Sequence, residues 1–169
     1  MELIRKIKGI LHRQKHEEAP HDTETAEGGA KTADKFNLKR FLEAQSVGYI
    51  QAVKEMSGGH KRTHWIWYVF PQLSGLGHSY NSRYYAISCR EEAEAYLAHP
   101  VLGERLRTVT AALLAHADKS AEEIFGGIDA MKVRSCMTLF DSVSPHDIFR
   151  RAIDTFYEGH ADPCTLKRL

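Results

Sequence analysis

His64-Trp65-Ile66-Trp67-Tyr68-Val69-Phe70-Pro71-Gln72 is the stretch on which the fold class turns. It holds both tryptophans of the chain, and four of the six residues from Trp65 to Phe70 are aromatic. Periodicity alone cannot separate a buried helix from a buried strand over so short an apolar run. Its neighbours favour helix. Thr63 is placed to cap a short helix, and Pro71 ends it, because proline disfavours helical geometry in the preceding residue. A strand would need a partner, yet the chain shows no Asn-Gly or Asp-Gly hairpin and no convincing alternation.

Outward from that segment, the helix signals are regular. Upstream, Leu38, Phe41, Leu42, Gln45, Tyr49, Val53 and Met56 share one face of a helix that Gly58-Gly59 should end. Downstream, Ser88 to Glu91 reads as a capping box opening a helix over 89–98. His99-Pro100 interrupts it, and Pro100 suits the first turn of the next helix, where Leu102, Leu106, Val109 and Leu113 form a stripe. Ser120 to Glu123 repeats the capping-box pattern, with Gly126-Gly127 as a stop. Asp129 is expected to cap a helix through Val143, Ser144-Pro145 to start one ending at Gly159, and Asp162-Pro163 to begin a last short turn. The expectation is an all-α, single compact domain of about seven helices over 36–169.

The first 35 residues differ in kind. Leu3, Ile4, Ile7 and Leu11 recur at helical spacing among basic residues, which fits a short amphipathic helix over Met1 to Arg13 suited to a membrane surface or a partner, or a frayed terminal helix. Gln14 to Lys35 is polar and lacks an apolar period, as a disordered linker does.

Composition narrows the function classes. A length of 169 residues with 43% hydrophobic and 27% charged residues is that of one globular domain. The net charge of +1 provides no global field toward nucleic acid or membrane. No apolar run approaches the roughly 20 residues that span a bilayer. Three cysteines, odd in number and without metal-ligand spacing, fit a reduced cytoplasmic protein. No cofactor is implied.

Several residues could carry chemistry. His64, flanked by indoles, is a candidate general base, although apolar clusters usually serve packing. His60 and His64 stand at a helical metal-ligand spacing, but no third ligand accompanies them, so no metal site is expected. Lys61 and Arg62 could hold an anion or simply be solvated. On a helical projection of 129–143, Val133, Cys136, Met137 and Phe140 face the core. Arg134, Thr138 and Asp141 face away, Lys132 sits on the boundary, and Ser135 lies just outside it. A boundary lysine snorkels or, at a pocket rim, could bind an anion or, if desolvated, become reactive. Arg83, Tyr84 and Tyr85 could line the cleft of His64 or anchor the glycine loop before them.

The order HWIWYVFPQLSGLG, YYAI, EAEAYLAHPVLGERL, EIFGGIDAMKVRSCMTLF and DPCTL resembles the bacterial domain-of-unknown-function family numbered 1810, over about residues 36–169. The resemblance implies no activity. A label sometimes attached to that family, calpastatin-like, implies a disordered inhibitor and conflicts with the helical pattern. The motif positions it marks are His64, Trp65, Trp67, Pro71, Gln72, Gly75, Gly77, His99, Lys132, Ser135 and Thr138.

Three readings follow. The first is a pocket for a planar, anionic, nucleotide-like small molecule between the HWIW segment and the Lys132 helix. Its candidate catalytic residues are His64 and Lys132, and its candidate ligand-binding residues are Trp65, Trp67, Gln72, Arg83, Ser135 and Thr138. The second is a helical protein-interaction module with exposed aromatic anchors. The third is single-stranded nucleic-acid binding, which near-neutral charge disfavours.

Overall fold

The computed structural model describes residues 34–169, and among them every regular element is a helix. The basic amphipathic segment and all but the last two residues of the linker lie outside the described residues. Nine helices follow one another: α1 (Lys39–Ser57), α2 (Ile66–Val69), α3 (Tyr80–Tyr84), α4 (Arg90–Ala98), α5 (Leu102–Leu114), α6 (Ala121–Phe125), α7 (Gly127–Val143), α8 (Ile148–Phe156) and α9 (Pro163–Leu166). The run from Trp65 to Phe70 is thus helical, but only for one turn. Past Pro71, the chain makes a single parallel bridge between Leu73 and Ile87, closed by Ile87 N–H to the Gln72 carbonyl and Ser74 N–H to the Ile87 carbonyl, both 2.8 Å.

Helix α7 is the hub, packing against α2, α4, α6, α8 and α9, while α1 packs on α2 and α5. A string of rings ties these layers together. Phe41 of α1 meets Tyr96 of α4 edge-on at 5.1 Å, Tyr96 meets Phe140 of α7 at 5.4 Å, and Phe140 meets Phe149 of α8 at 5.6 Å. The expected apolar faces are buried where the periodicity put them, including Val133, Cys136, Met137 and Phe140 on α7. Leu42 alone of the α1 face is only half-buried.

Caps explain where the helices start, and several depart from expectation. Ser120 and Glu123 do form a reciprocal capping box on α6. At α4 the N-cap is Cys89, so Glu92, not Glu91, occupies the third helical position and accepts from both the amide and the hydroxyl of Ser88. Glu92 is claimed as well by buried Arg40, whose guanidinium lies 2.6 Å away. The His99 carbonyl accepts from Gly103, but the N-cap of α5 is Val101, so Pro100 lies just ahead of the helix and not in its first turn. Asp129 does not cap α7: Gly126 does, at φ +75° and ψ 160°, a conformation open to glycine alone. Asp129 lies in the first turn instead, its carboxylate engaged by lysines. Helix α8 is shorter than expected, because His146 adopts φ +68° and Asp147 becomes the cap. Asp34, placed in the linker by its sequence neighbourhood, accepts from the amides of Leu38 and Lys39 and so covers the first turn of α1.

Candidate functional site

The loop that carries His64 is organised by one carboxylate. Glu55, buried on α1, accepts from the amides of Arg62 (2.8 Å) and Thr63 (3.1 Å), the Thr63 hydroxyl (2.7 Å), the Trp65 indole N–H (2.8 Å) and the Gln51 amide (2.9 Å). Burial alone would raise its pKa, but these donors outweigh it and draw it down to about 2. Thr63 therefore serves Glu55 and not a helix cap. The same loop is strapped to α6 by the Lys61 amide, 2.8 Å from the Ile124 carbonyl, and by the His60 ring, 3.2 Å from the Glu123 carbonyl. His60 is thus occupied away from His64. Among the described residues, no cluster of three His, Cys, Asp or Glu side chains could hold a metal.

This strapping brings the His64 turn against the amino end of α7. An open cleft of about 400 Å³ lies between them, with His64 and Trp67 on one side and Asp129 and Lys132 on the other. Phe125, Gly126, Gly127 and Ile128 complete it. A Cβ built on either glycine would meet nothing within 4 Å, so the backbone itself forms an open floor. The first amides of α7 lie along that floor without intrahelical partners.

Charge is concentrated at one edge. Asp129 accepts from Lys61 at 2.7 Å and from Lys132 at 2.7 Å. Burial works to raise the Asp129 pKa, and the two lysine hydrogen bonds more than offset it, leaving it below the usual carboxylate range. The Lys132 ammonium lies 5.1 Å from the centre of the Trp67 ring, and the Lys61 ammonium 5.4 Å from that of Trp65.

The remaining sequence candidates fall elsewhere. Trp65 is 1% exposed, a core residue whose polar edge is spent on Glu55. Gln72 is half-buried beside the bridge to Ile87 and does not line the cleft. Arg83 is exposed on α3, also outside the cleft, while Tyr85 anchors its loop against Phe41 and Tyr68. Ser135 and Thr138 are buried, contrary to the helical projection, because the C-terminal segment covers that side of α7. The Ser135 hydroxyl donates to the Asp162 carboxylate at 3.0 Å, and Thr138 accepts from the Asp162 amide at 2.8 Å. Arg134 reinforces the clasp through the carbonyls of His160 and Ala161. Of the expected site residues, His64, Trp67 and Lys132 converge. Asp129 and the two glycines join them without having been singled out. The one available signal for Asp129 was its helical register with Lys132, three residues on.

The profile of a family described as protein of unknown function, DUF1810, matches residues 35–169. The crystal structure of the conserved hypothetical protein Rv1873 from Mycobacterium tuberculosis is similar at 44% identity and a TM-score of 0.79, covering 80% of this chain and 98% of that one. No curated protein matches the chain. No described helix is long and apolar enough to cross a membrane. With a family match running from just before the first helix to Leu169, the chain belongs to the DUF1810 family.

Proposed function

We propose that the protein binds a planar, anionic, nucleotide-like small molecule in the cleft between the His64–Trp67 turn and the amino end of α7. The observation that carries this reading is the Lys132 ammonium over the half-buried Trp67 ring, beside a backbone floor of two glycines. A cation, a stacking surface and close backbone access are offered together, as recognition of a flat ring bearing negative charge requires. Exposed His64 at the rim is the group available for proton transfer to such a ligand, and Lys132 the cation that holds its charge. A cytoplasmic setting accords with the free thiols of Cys89, Cys136 and Cys164.

Titration with adenosine 5′-monophosphate, followed by tryptophan fluorescence, tests the reading. Saturable quenching is expected, with adenosine binding more weakly for want of the phosphate. Lys132→Met keeps most of the stem and should weaken the nucleotide by about tenfold at unchanged melting temperature. A wild-type response that does not saturate, or one indifferent to Lys132→Met, overturns it.

A protein-interaction module draws support from Ile128, 74% exposed at the cleft, and Met131, 67% exposed outside it. Met131→Glu, outside the cleft lining, separates the two readings: it weakens such an interface and leaves nucleotide affinity within about twofold. Single-stranded nucleic acid has less in its favour, since Lys61 of the basic loop is committed to Asp129.

A further inference from the structure

Asp129 is one carboxylate between two ammonium groups, and the two are not equivalent. The Lys61 side chain is 8% exposed, its ammonium lies over Trp65, and its backbone is tied to Ile124. A buried cation so placed cannot leave its counter-ion without a large desolvation penalty. Lys132 is 21% exposed, reaches Asp129 from only three residues away along the helix surface, and lines the cleft, which Lys61 does not. Of two cations sharing one carboxylate at equal distance, the more exposed gives it up at the smaller desolvation cost. The triad carries a net charge of +1, and the surplus belongs to the member that can move.

We infer that Lys61 sets the charge of the cleft: by occupying Asp129 from beneath, it leaves Lys132 as the uncompensated cation that receives the ligand's anionic group. This rests on the reading that the cleft takes an anion. Lys61 is then a positioning residue, acting through Asp129 without touching the ligand. Without it, Asp129 would neutralise Lys132, and the cleft would present an indole and an inert ion pair. The Asp129 carboxylate, an obstacle to any anion if taken alone, becomes the means by which two cations are held close together at tolerable repulsion.

The test removes each charge in turn from the full chain, with adenosine 5′-monophosphate as probe. Lys61→Met should lower affinity about tenfold, and Lys61→Arg should preserve it. The combination Lys61→Met with Asp129→Asn should recover affinity to within about threefold of wild type, because it restores the site's net charge of +1 to Lys132. A merely structural role for Lys61 does not produce that recovery. A second measurement needs no ligand: acylation of Lys132 by limiting acetic anhydride, read by mass spectrometry. It should slow in Lys61→Met, where Asp129 holds Lys132 alone, and return in the double variant. Unchanged affinity and acylation in Lys61→Met overturn the inference, as does failure of the double variant to recover while it melts like Lys61→Arg. Should the wild type ignore the nucleotide while acylation follows the expected order, the small-molecule reading falls and the role of Lys61 stands.

Discussion

Trp65 and Trp67 stand two residues apart and meet different surroundings, which is the main lesson at the scale of single side chains. Trp65 fills the core and donates to Glu55, whereas Trp67 is half-buried at the cleft. Trp65→Ala should cost about 3–5 kcal/mol, Trp67→Ala at most about half of that, and exposed His64→Ala no more than about 0.5 kcal/mol in denaturant unfolding. The sequence could mark these three residues together but could not divide them, since burial depends on which side α7 approaches. Glu55 left no mark at all: a glutamate beside Met56 on the edge of an apolar face looks like any solvated helix residue. Its carboxylate should nevertheless govern acid stability. With a pKa drawn from 4.5 to about 2, its contribution is complete above pH 4.5 and disappears as the pH falls toward 2. Glu55→Gln should cost about 2–3 kcal/mol at neutral pH and flatten the melting curve across that acid window. Equal pH profiles for the two proteins would assign the acid transition elsewhere.

Among the elements, local signals located the helices, and long-range contacts moved their ends. The Ser120 capping box involves only neighbours, and it formed as the residues specify. The Ser88 pattern slipped by one because Arg40, far along the chain, draws Glu92 into a buried pair. Thr138 looked exposed on a bare projection, since no periodicity within α7 registers the segment from Tyr157 to Leu166 that covers it. Packing between elements also explains Gly103 in the first turn of α5. A Cβ there would run into the carbonyl oxygen of Leu97, a backbone atom that no rotamer change can move. In an open helix, alanine would be worth up to about 1 kcal/mol over glycine. Here Gly103→Ala should instead destabilise by about 1–3 kcal/mol, as overpacking does, and thermal melting decides the sign.

For the molecule as a whole, class and core were legible because nearly every amphipathic face has the helical period and is buried. The candidate site was legible only in part. His64, Trp67 and Lys132 were visible as residue types out of place, whereas the glycine floor and Asp129 acquire meaning only once α6 and α7 bring them to the aromatic turn. At the first described residue, one carboxylate covers the start of α1. We expect removal of residues 1–33 to leave the melting temperature within a few degrees, and Asp34→Ala to cost about 1 kcal/mol, because the carboxylate caps α1. Loss of cooperative melting on truncation would assign the preceding residues to the core. The fastening of the 60–65 loop carries a last consequence, for its dynamics. The amides of Lys61, Arg62 and Thr63 belong to no helix, yet each donates to a partner on α6 or to Glu55. Their hydrogens should therefore exchange with deuterated solvent as slowly as those of a core helix, released only when the loop leaves α1 and α6. A segment without regular structure would then report on a cooperative opening of the fold, and the turn bearing His64 would meet any ligand already in place.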